Sequence, residues 1–273
     1  MTKLYVTGLW IIEDWNKKTP ELYLQTLKKT LKMLQGEKLL FLSNQKNIFE
    51  LVREFSKSQD ISLETVSMPV QNLPAVPVSD DYVKACQRMQ LAISPKSSWN
   101  NYRTIQEKGI KHYFRDYNGK SVDSYKKVLS IWLSKVPLLA DIASRKEYSA
   151  FKHFAWCDAS VARFNPKRIK SNFIKQEDKS GKISHYYSGM KYYSQIIPVS
   201  ASYMSGDRSA WESFNLVYTK YLKMLQDSSY AHDEETVISH CHEECAELFH
   251  LINPEQRARN LRQKQKKTHK SKE

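Results

Sequence analysis

The sequence predicts an α/β fold with helices packed on a central sheet, and three observations carry that expectation. Strand-like and helix-like segments alternate over the first 66 residues. A short apolar run, Phe154-Ala155-Trp156-Cys157, stops on a single carboxylate, Asp158. Apolar residues then recur at helical spacing through the last third of the chain. With 273 residues, 41% of them apolar, there is enough material for one large domain or two small ones.

The first element is a strand at Lys3–Leu9 that closes on Thr7-Gly8. Glu13-Asp14 follow the apolar stretch Leu4–Ile12 and no small-residue cleavage site does, so it reads as a strand and not as a signal peptide. Thr19-Pro20-Glu21 has the form of a helix start, with Thr as N-cap and Pro in the first position. Leu24, Leu27, Leu31 and Leu34 continue at helical spacing, and Gly36 supplies a stop. Lys38–Leu42 is a second strand, Asn47–Ser56 a second helix and Ile61–Val66 a third strand. A βαβαβ series of this kind implies parallel strands covered by helices. It contains neither the GxGxxG fingerprint nor the GxxxxGK[ST] phosphate loop, so nucleotide binding does not follow from motif alone. The strand-end residues Thr7, Gly8, Ser43 and Asn44 are placed to line a nucleotide pocket.

Pro69, Pro74 and Pro77 mark an extended connector, and a helix is expected from about Ser79-Asp80-Asp81. Ser94–Asn101 reads as a loop. Val122–Arg145 is a long helical pattern that Pro137 should kink or divide. The Asp158 strand comes next, then a polar, basic loop over Asn165–Gly181. Lys191–Val199 and Ala201–Met204 read as strands, Ser205-Gly206-Asp207 as a turn, and Ser209–Leu225 and Asp233–Leu251 as helices.

The net charge is +14, from 43 Lys and Arg against 29 Asp and Glu. Eight basic residues lie between Arg257 and Lys272, and with only Glu255 and Glu273 as acids the 255–273 tail contributes +6. Such a tail is expected to be disordered and able to rest on an anionic membrane surface. No aromatic residue interleaves with these charges, which disfavours a base-stacking, nucleic-acid-binding surface. No run approaches the roughly 20 apolar residues of a bilayer span. Four scattered cysteines, Cys86, Cys157, Cys241 and Cys245, suggest no disulfide framework and point to a reducing cytoplasmic compartment.

Three segments resemble the HtrL/YibB-type (WlaTC/HtrL) family of bacterial glycosyltransferases. They are Ile131-Trp132-Leu133-Ser134-Lys135-Val136-Pro137-Leu138-Leu139, then Phe154 to Ser160, and then Ser205-Gly206 through Trp211 to His232-Asp233-Glu234-Glu235. The middle segment is similar to the family's aromatic-x-Trp-x-Asp-small pattern. It departs from a DxD motif, because Ser160 stands where the second acid would be.

The resemblance implies a GT-A-like fold over residues 1–254. A Rossmann-like nucleotide-binding half, about 1–160, would be followed by a more helical acceptor half, about 161–254, with a mixed central sheet between flanking helices. It further implies transfer of a sugar from a nucleotide-diphosphate donor to a cell-surface glycan or glycolipid of the lipopolysaccharide, lipooligosaccharide or capsule type. On that reading the enzyme is cytoplasmic, with the tail able to touch the inner face of the membrane. Asp158 would hold Mn²⁺ or Mg²⁺, hard ions that favour oxygen ligands, and through it the diphosphate. Lys135 would contact phosphate, and Thr7, Gly8, Ser43 and Gly206 would line the donor pocket. Asp233 and Glu234 would be the catalytic carboxylates, since an inverting transfer needs a base at the acceptor hydroxyl; a retaining transfer would not.

Each assignment has a structural alternative. Asp158 can cap the next turn, Lys135 can be a solvated helix lysine, and Asp233 and Glu234 can serve a helix dipole. Gly206 can be a plain turn residue and Asp207 an N-cap. Trp156, Trp211, Phe214 and Tyr218 read as core, and Tyr186-Tyr187 and Tyr192-Tyr193 as strand-surface residues before sugar platforms. His240-Cys241-His242 with Cys245, near His232 and His250, has zinc-like composition, but its members point around a helix in different directions. Two other functional classes remain: a nucleic-acid-binding protein that uses the tail and the Asn165–Lys182 loop, and a non-catalytic scaffold that kept the fold.

Overall fold

The computed structural model describes residues 3–12, 19–92, 121–164, 174–188, 191–192, 195–225 and 233–252. The expected loop at Ser94–Asn101, residues 165–173 of the basic loop, Tyr193, His232 and the 255–273 tail lie outside the described residues.

Nine strands and seven α-helices are described. The strands are β1 Lys3–Gly8, β2 Lys38–Ser43, β3 Ser62–Ser67, β4 His153–Cys157, β5 Ile183–His185, β6 Lys191–Tyr192, β7 Gln195–Ile196, β8 Tyr203–Asp207 and β9 Phe249–Leu251. The helices are α1 Pro20–Met33, α2 Lys46–Ser58, α3 Val76–Ala92, α4 Val122–Leu133, α5 Lys135–Ser144, α6 Arg208–Met224 and α7 Glu234–Glu244.

The first five elements alternate as βαβαβ for the local reasons expected. Thr19 caps α1 through its side chain, with Pro20 in the first position, and Gly36 turns the chain toward β2 at a φ of +76°. Strands β1, β2 and β3 run parallel in that order. The chain then crosses back through α3, α4 and α5 and adds β4 parallel to the other side of β1. Strand β8 is antiparallel to β4, and β5 and β9 complete a seven-stranded mixed sheet in the order β3-β2-β1-β4-β8-β5-β9.

The two faces of the sheet follow the period of two along each strand. Leu4, Val6, Leu40, Leu42, Phe154, Trp156 and Met204 pack with residues of α3 to α7. Tyr5, Leu39, Phe41, Ala155, Cys157 and Tyr203 pack with α1, α2 and Ile174. The chain is therefore an α/β sandwich of three layers. Its strand order reverses between β1 and β4, and in open α/β sheets ligands bind at such a point, beyond the carboxyl ends of the strands.

Several expected elements differ. The Val122–Arg145 pattern is two helices, broken at Ser134. Pro137 is the third residue of α5; its ring excludes a continuous helix across Leu133, four residues earlier, but is tolerated in a first turn. Ser205-Gly206-Asp207 is the second half of β8 and not a turn, and Asp207 then N-caps α6 by accepting from the Ala210 N–H at 2.9 Å. The Asp233–Leu251 pattern is α7 followed by a short 3₁₀ turn and strand β9. Of the expected strand Lys191–Val199, the described parts are β6 and β7, two residues each, paired antiparallel. Among the described residues, no helix is long and apolar enough to cross a membrane.

Candidate functional site

Because β1, β2 and β4 are parallel, their carboxyl ends share one edge. Val6 pairs with Trp156 and Gly8 with Leu42, so Thr7-Gly8, Ser43 and Asp158 all lie there. Tyr203 pairs with Cys157, which brings the start of β8 to the same place. Gly206 pairs with Phe154, at the far end of β4. It therefore lies away from the edge that holds Thr7, Gly8, Ser43 and Asp158. A Cβ on Gly206 would come within 2.9 Å of both Ile183 Cδ1 and the Lys182 carbonyl oxygen, so the missing side chain serves strand packing.

Asp158 is the first residue beyond β4. Its N–H donates to Ser202 O at 2.9 Å, and its carbonyl accepts from Val161 N–H at 2.8 Å, which fixes the backbone in a tight turn. The side chain points to the α5/α7 face. Trp156 Nε1 donates to Asp158 Oδ1 at 2.8 Å, because residues two apart on an extended chain share a face. The Lys135 ammonium approaches the same oxygen at 2.8 Å. It also donates to Glu234 Oε1 at 2.6 Å and to Ala201 O at 3.3 Å, so each of its three protons has an acceptor.

The Lys135 side chain is 5% exposed and that of Asp158 16%, so the carboxylate alone of this pair keeps appreciable contact with solvent. Burial opposes the charge on Lys135, but the Asp158 and Glu234 carboxylates outweigh it and hold the ammonium above its usual range. Lys135 is thus neither a solvated helix lysine nor, in this arrangement, a free phosphate contact. It is the first residue of α5, where a cation opposes the helix dipole. The two carboxylates supply the compensation.

Asp233, Glu234 and Glu235 open α7 and divide their work. Asp233 is the N-cap: its Oδ1 accepts from the Thr236 N–H at 2.9 Å and from the Thr236 hydroxyl at 2.8 Å. Its capping alternative is therefore realised. Glu234 turns to Lys135, and burial pushes its carboxyl up against the pull of that ammonium. Glu235 accepts from the Ala201 N–H at 3.0 Å and the Ser188 hydroxyl at 2.8 Å, which ties two loop segments to the helix. Burial, with the charges of Asp233 and Glu234 adding to it, raises the Glu235 carboxyl to about 7.

Thr7, Gly8 and Ser43 reach the expected edge but face inward. Thr7 donates its hydroxyl to Cys157 O, and Ser43 donates to Leu9 O at 2.8 Å. The space a Gly8 Cβ would take is filled by the Trp10 ring, whose carbons would lie 2.5 Å from it, and the Trp10 indole N–H is held by Met68 O at 2.7 Å. The side chains of Thr7 and Ser43 join strand ends at this edge.

The oxygens around Asp158 Oδ1 are largely committed to partners within the protein. Mn²⁺ and Mg²⁺ are held by several oxygen ligands. Here Asp158 Oδ1 takes two N–H donors, Asp233 Oδ1 caps its helix, and both Glu235 oxygens accept hydrogen bonds. Among the described residues, no group of three His, Cys, Asp or Glu side chains is placed to hold a metal ion. In this structure the cation beside the Asp158 carboxylate is the Lys135 ammonium. The zinc-like residues also diverge. Cys241 is buried, His240 stacks on Tyr221 and His242 packs against Phe249.

Sequence reasoning missed the Lys135–Glu234 contact, the Trp156 indole as a donor to Asp158, and the bracing by Ser188 and Glu235. One signal was present for Lys135: it is the lone charge in the otherwise apolar and small stretch Ile131–Ala140.

No protein-family model matches the chain, and no curated protein does. Among solved structures it is similar to core-mannan synthase A from Aspergillus fumigatus in its Mn/GDP form, with a TM-score of 0.48 at 8% identity, over 92% of this chain and 73% of that one. The resemblance to HtrL/YibB-type proteins rests on the three quoted segments alone.

Proposed function

We propose that this chain is a nucleotide-sugar-dependent glycosyltransferase of GT-A-like architecture, and that it acts at the edge where β1 and β4 part. The observation that carries the reading is the position of Asp158: a partly exposed carboxylate at the tip of β4, at the point where strand order reverses, held by a buried lysine. In this reading the nucleotide half is the β1–β4 portion, and the later helices with β5, β8 and β9 face the acceptor.

Asp158 accepts hydroxyl groups of the donor, and Lys135 fixes its direction. The departing diphosphate develops negative charge, which preorganised donors near the strand ends must stabilise. Glu234 is the acceptor-side carboxylate. Burial raises its carboxyl against the pull of the Lys135 ammonium, and an inverting transfer needs a base at the acceptor hydroxyl. Asp233 positions Glu234 by capping α7. The acceptor class that best suits the three resembling segments is a cell-surface glycan or glycolipid. The basic 255–273 tail would bring the enzyme to an anionic membrane, from the cytoplasmic side.

The test is donor turnover. The full chain is incubated with a panel of nucleotide sugars and the release of nucleoside diphosphate is followed. The wild type is expected to turn over one donor class, and Asp158→Ala to lose at least about 100-fold in rate, the scale of a group used in the transition state, with an unchanged circular dichroism spectrum. Full turnover in a folded Asp158→Ala protein would remove Asp158 from the mechanism. No turnover or binding of any donor by the wild type would favour a non-catalytic scaffold.

A further inference from the structure

We propose that the Lys135 ammonium is the resident cation of this site and that ligand binding at the β1/β4 edge proceeds without a divalent metal ion. The inference rests on the reading of that edge as a nucleotide-sugar site, and it departs from the metal-bound arrangement that a strand-end aspartate first suggests.

The geometry carries it in three ways. First, the ammonium is complete within the protein. Its three acceptors are Asp158 Oδ1 at 2.8 Å, Glu234 Oε1 at 2.6 Å and Ala201 O at 3.3 Å, contributed by the end of β4, the start of α7 and the turn before β8. A buried ammonium is tolerated when its donors are all matched and its charge is paired, as here. It is therefore a fixed part of the site and not a side chain that swings aside. Second, Asp158 Oδ1 also takes the Trp156 indole N–H at 2.8 Å, so this oxygen already has two donors, one of them charged. A hard dication on it would have to displace them and lie beside a like charge. Third, the neighbouring acids are not placed to complete a coordination shell. Asp233 caps α7 and Glu235 braces Ser188 and Ala201.

The position of Lys135 in the sequence makes the same point. A lysine at the first position of α5 is electrostatically unfavourable to that helix, and two residues later Pro137 fixes where the helix starts. The break at Ser134 places Lys135 opposite the tip of β4. Ser134 itself is pinned, because its hydroxyl accepts from the Ala75 N–H at 3.0 Å. The backbone is shaped to deliver one cation to one carboxylate.

The experiment uses the full chain and Mn²⁺ alone as first probe, read by loss of the free-ion electron paramagnetic resonance signal. The wild type is expected to take up no stoichiometric Mn²⁺ at concentrations up to about 100 μM. Uptake of one Mn²⁺ per chain that Asp158→Asn abolishes would overturn the proposal. A second titration measures uridine and guanosine diphosphate by calorimetry, with EDTA and with Mn²⁺. Affinities that agree within twofold in the two conditions support the proposal, and a tenfold or larger requirement for Mn²⁺ overturns it. If neither nucleotide binds in either condition, the nucleotide reading of the edge fails, while the Mn²⁺ titration still decides which cation Asp158 holds. Lys135→Met leaves Asp158 and Glu234 facing each other without their ammonium and is expected to gain a Mn²⁺ site. A folded Lys135→Met protein that takes up no Mn²⁺ would overturn the role of Lys135 as the ion's substitute; if that variant does not fold, the wild-type titrations stand as the test.

Discussion

Lys135 is the residue on which the site turns. Burying an ammonium is costly unless its partners are close and its protons are all accepted, and removing one member of such a group costs more than the group contributes. That asymmetry explains why one lysine interrupts an apolar stretch. Glu235 is a half-buried carboxyl with a measurable consequence. Its carboxyl is raised from an ordinary 4.5 to about 7, first by burial. Below about pH 4.5 it is protonated in folded and unfolded chains alike. Between that value and 7 the unfolded chain releases the proton while the folded chain keeps it, so stability falls as pH rises, and above 7 the loss is complete. Buried His185, pushed down to about 4, contributes with the opposite sign over its own range. Comparing wild type with Glu235→Gln removes that contribution, because both proteins carry it. Thermal melts from pH 5 to 8 should show the wild type losing several degrees relative to the variant, at roughly 2–4 °C per kcal/mol for a chain of this size. Parallel curves would mean that the folded chain does not raise the Glu235 carboxyl.

At the scale of elements, what could be read from the sequence was decided by local chemistry. The βαβαβ start was legible because Thr19-Pro20 announces α1, Gly36 turns the chain, and the apolar residues alternate or recur with the right period. The tip of β4 was legible because four nonpolar residues end abruptly on Asp158. Strands β5 and β9 were not legible. Each is three residues long, too short for a period to declare itself, and each is a strand only because a partner edge is waiting for it: β9 adds to β5, and β5 to β8. Gly206 was misread for a related reason. In a turn it would supply freedom of the backbone, but in β8 it supplies room against the start of β5 and against α6. Gly206→Ala is therefore expected to destabilise the chain by about 1–3 kcal/mol, the usual range for overpacking, because one obstacle is the Lys182 carbonyl, which cannot rotate away. Urea melts check this. Ligand binding by the folded fraction should be unchanged, since Gly206 lies at the opposite end of β4; weaker binding at unchanged stability would contradict the assignment.

At the scale of the whole molecule, the sheet order explains why distant parts of the sequence share one edge. Helices α1 and α2 cover one face, and the crossover through α3, α4 and α5 covers the other before β4 returns beside β1. This reversal opens the edge at β1 and β4, and it places α5 above the tip of β4. The antiparallel β8 then brings Ala201 and Ser202 to that tip, and α7 brings Glu234. The separate parts of the site were visible in sequence as Lys135, Asp158 and Glu234. Their union was not, because 99 residues separate Lys135 from Glu234 and only the fold joins them.

The most direct measurement is a crystal of the full chain soaked with the nucleoside diphosphate that binds most tightly. The expected result is density for the diphosphate beyond the carboxyl ends of β1 and β4, with a ribose hydroxyl within hydrogen-bonding reach of Asp158 and Lys135 still between Asp158 and Glu234. Density at any other edge of the sheet, with Asp158 untouched, would contradict it.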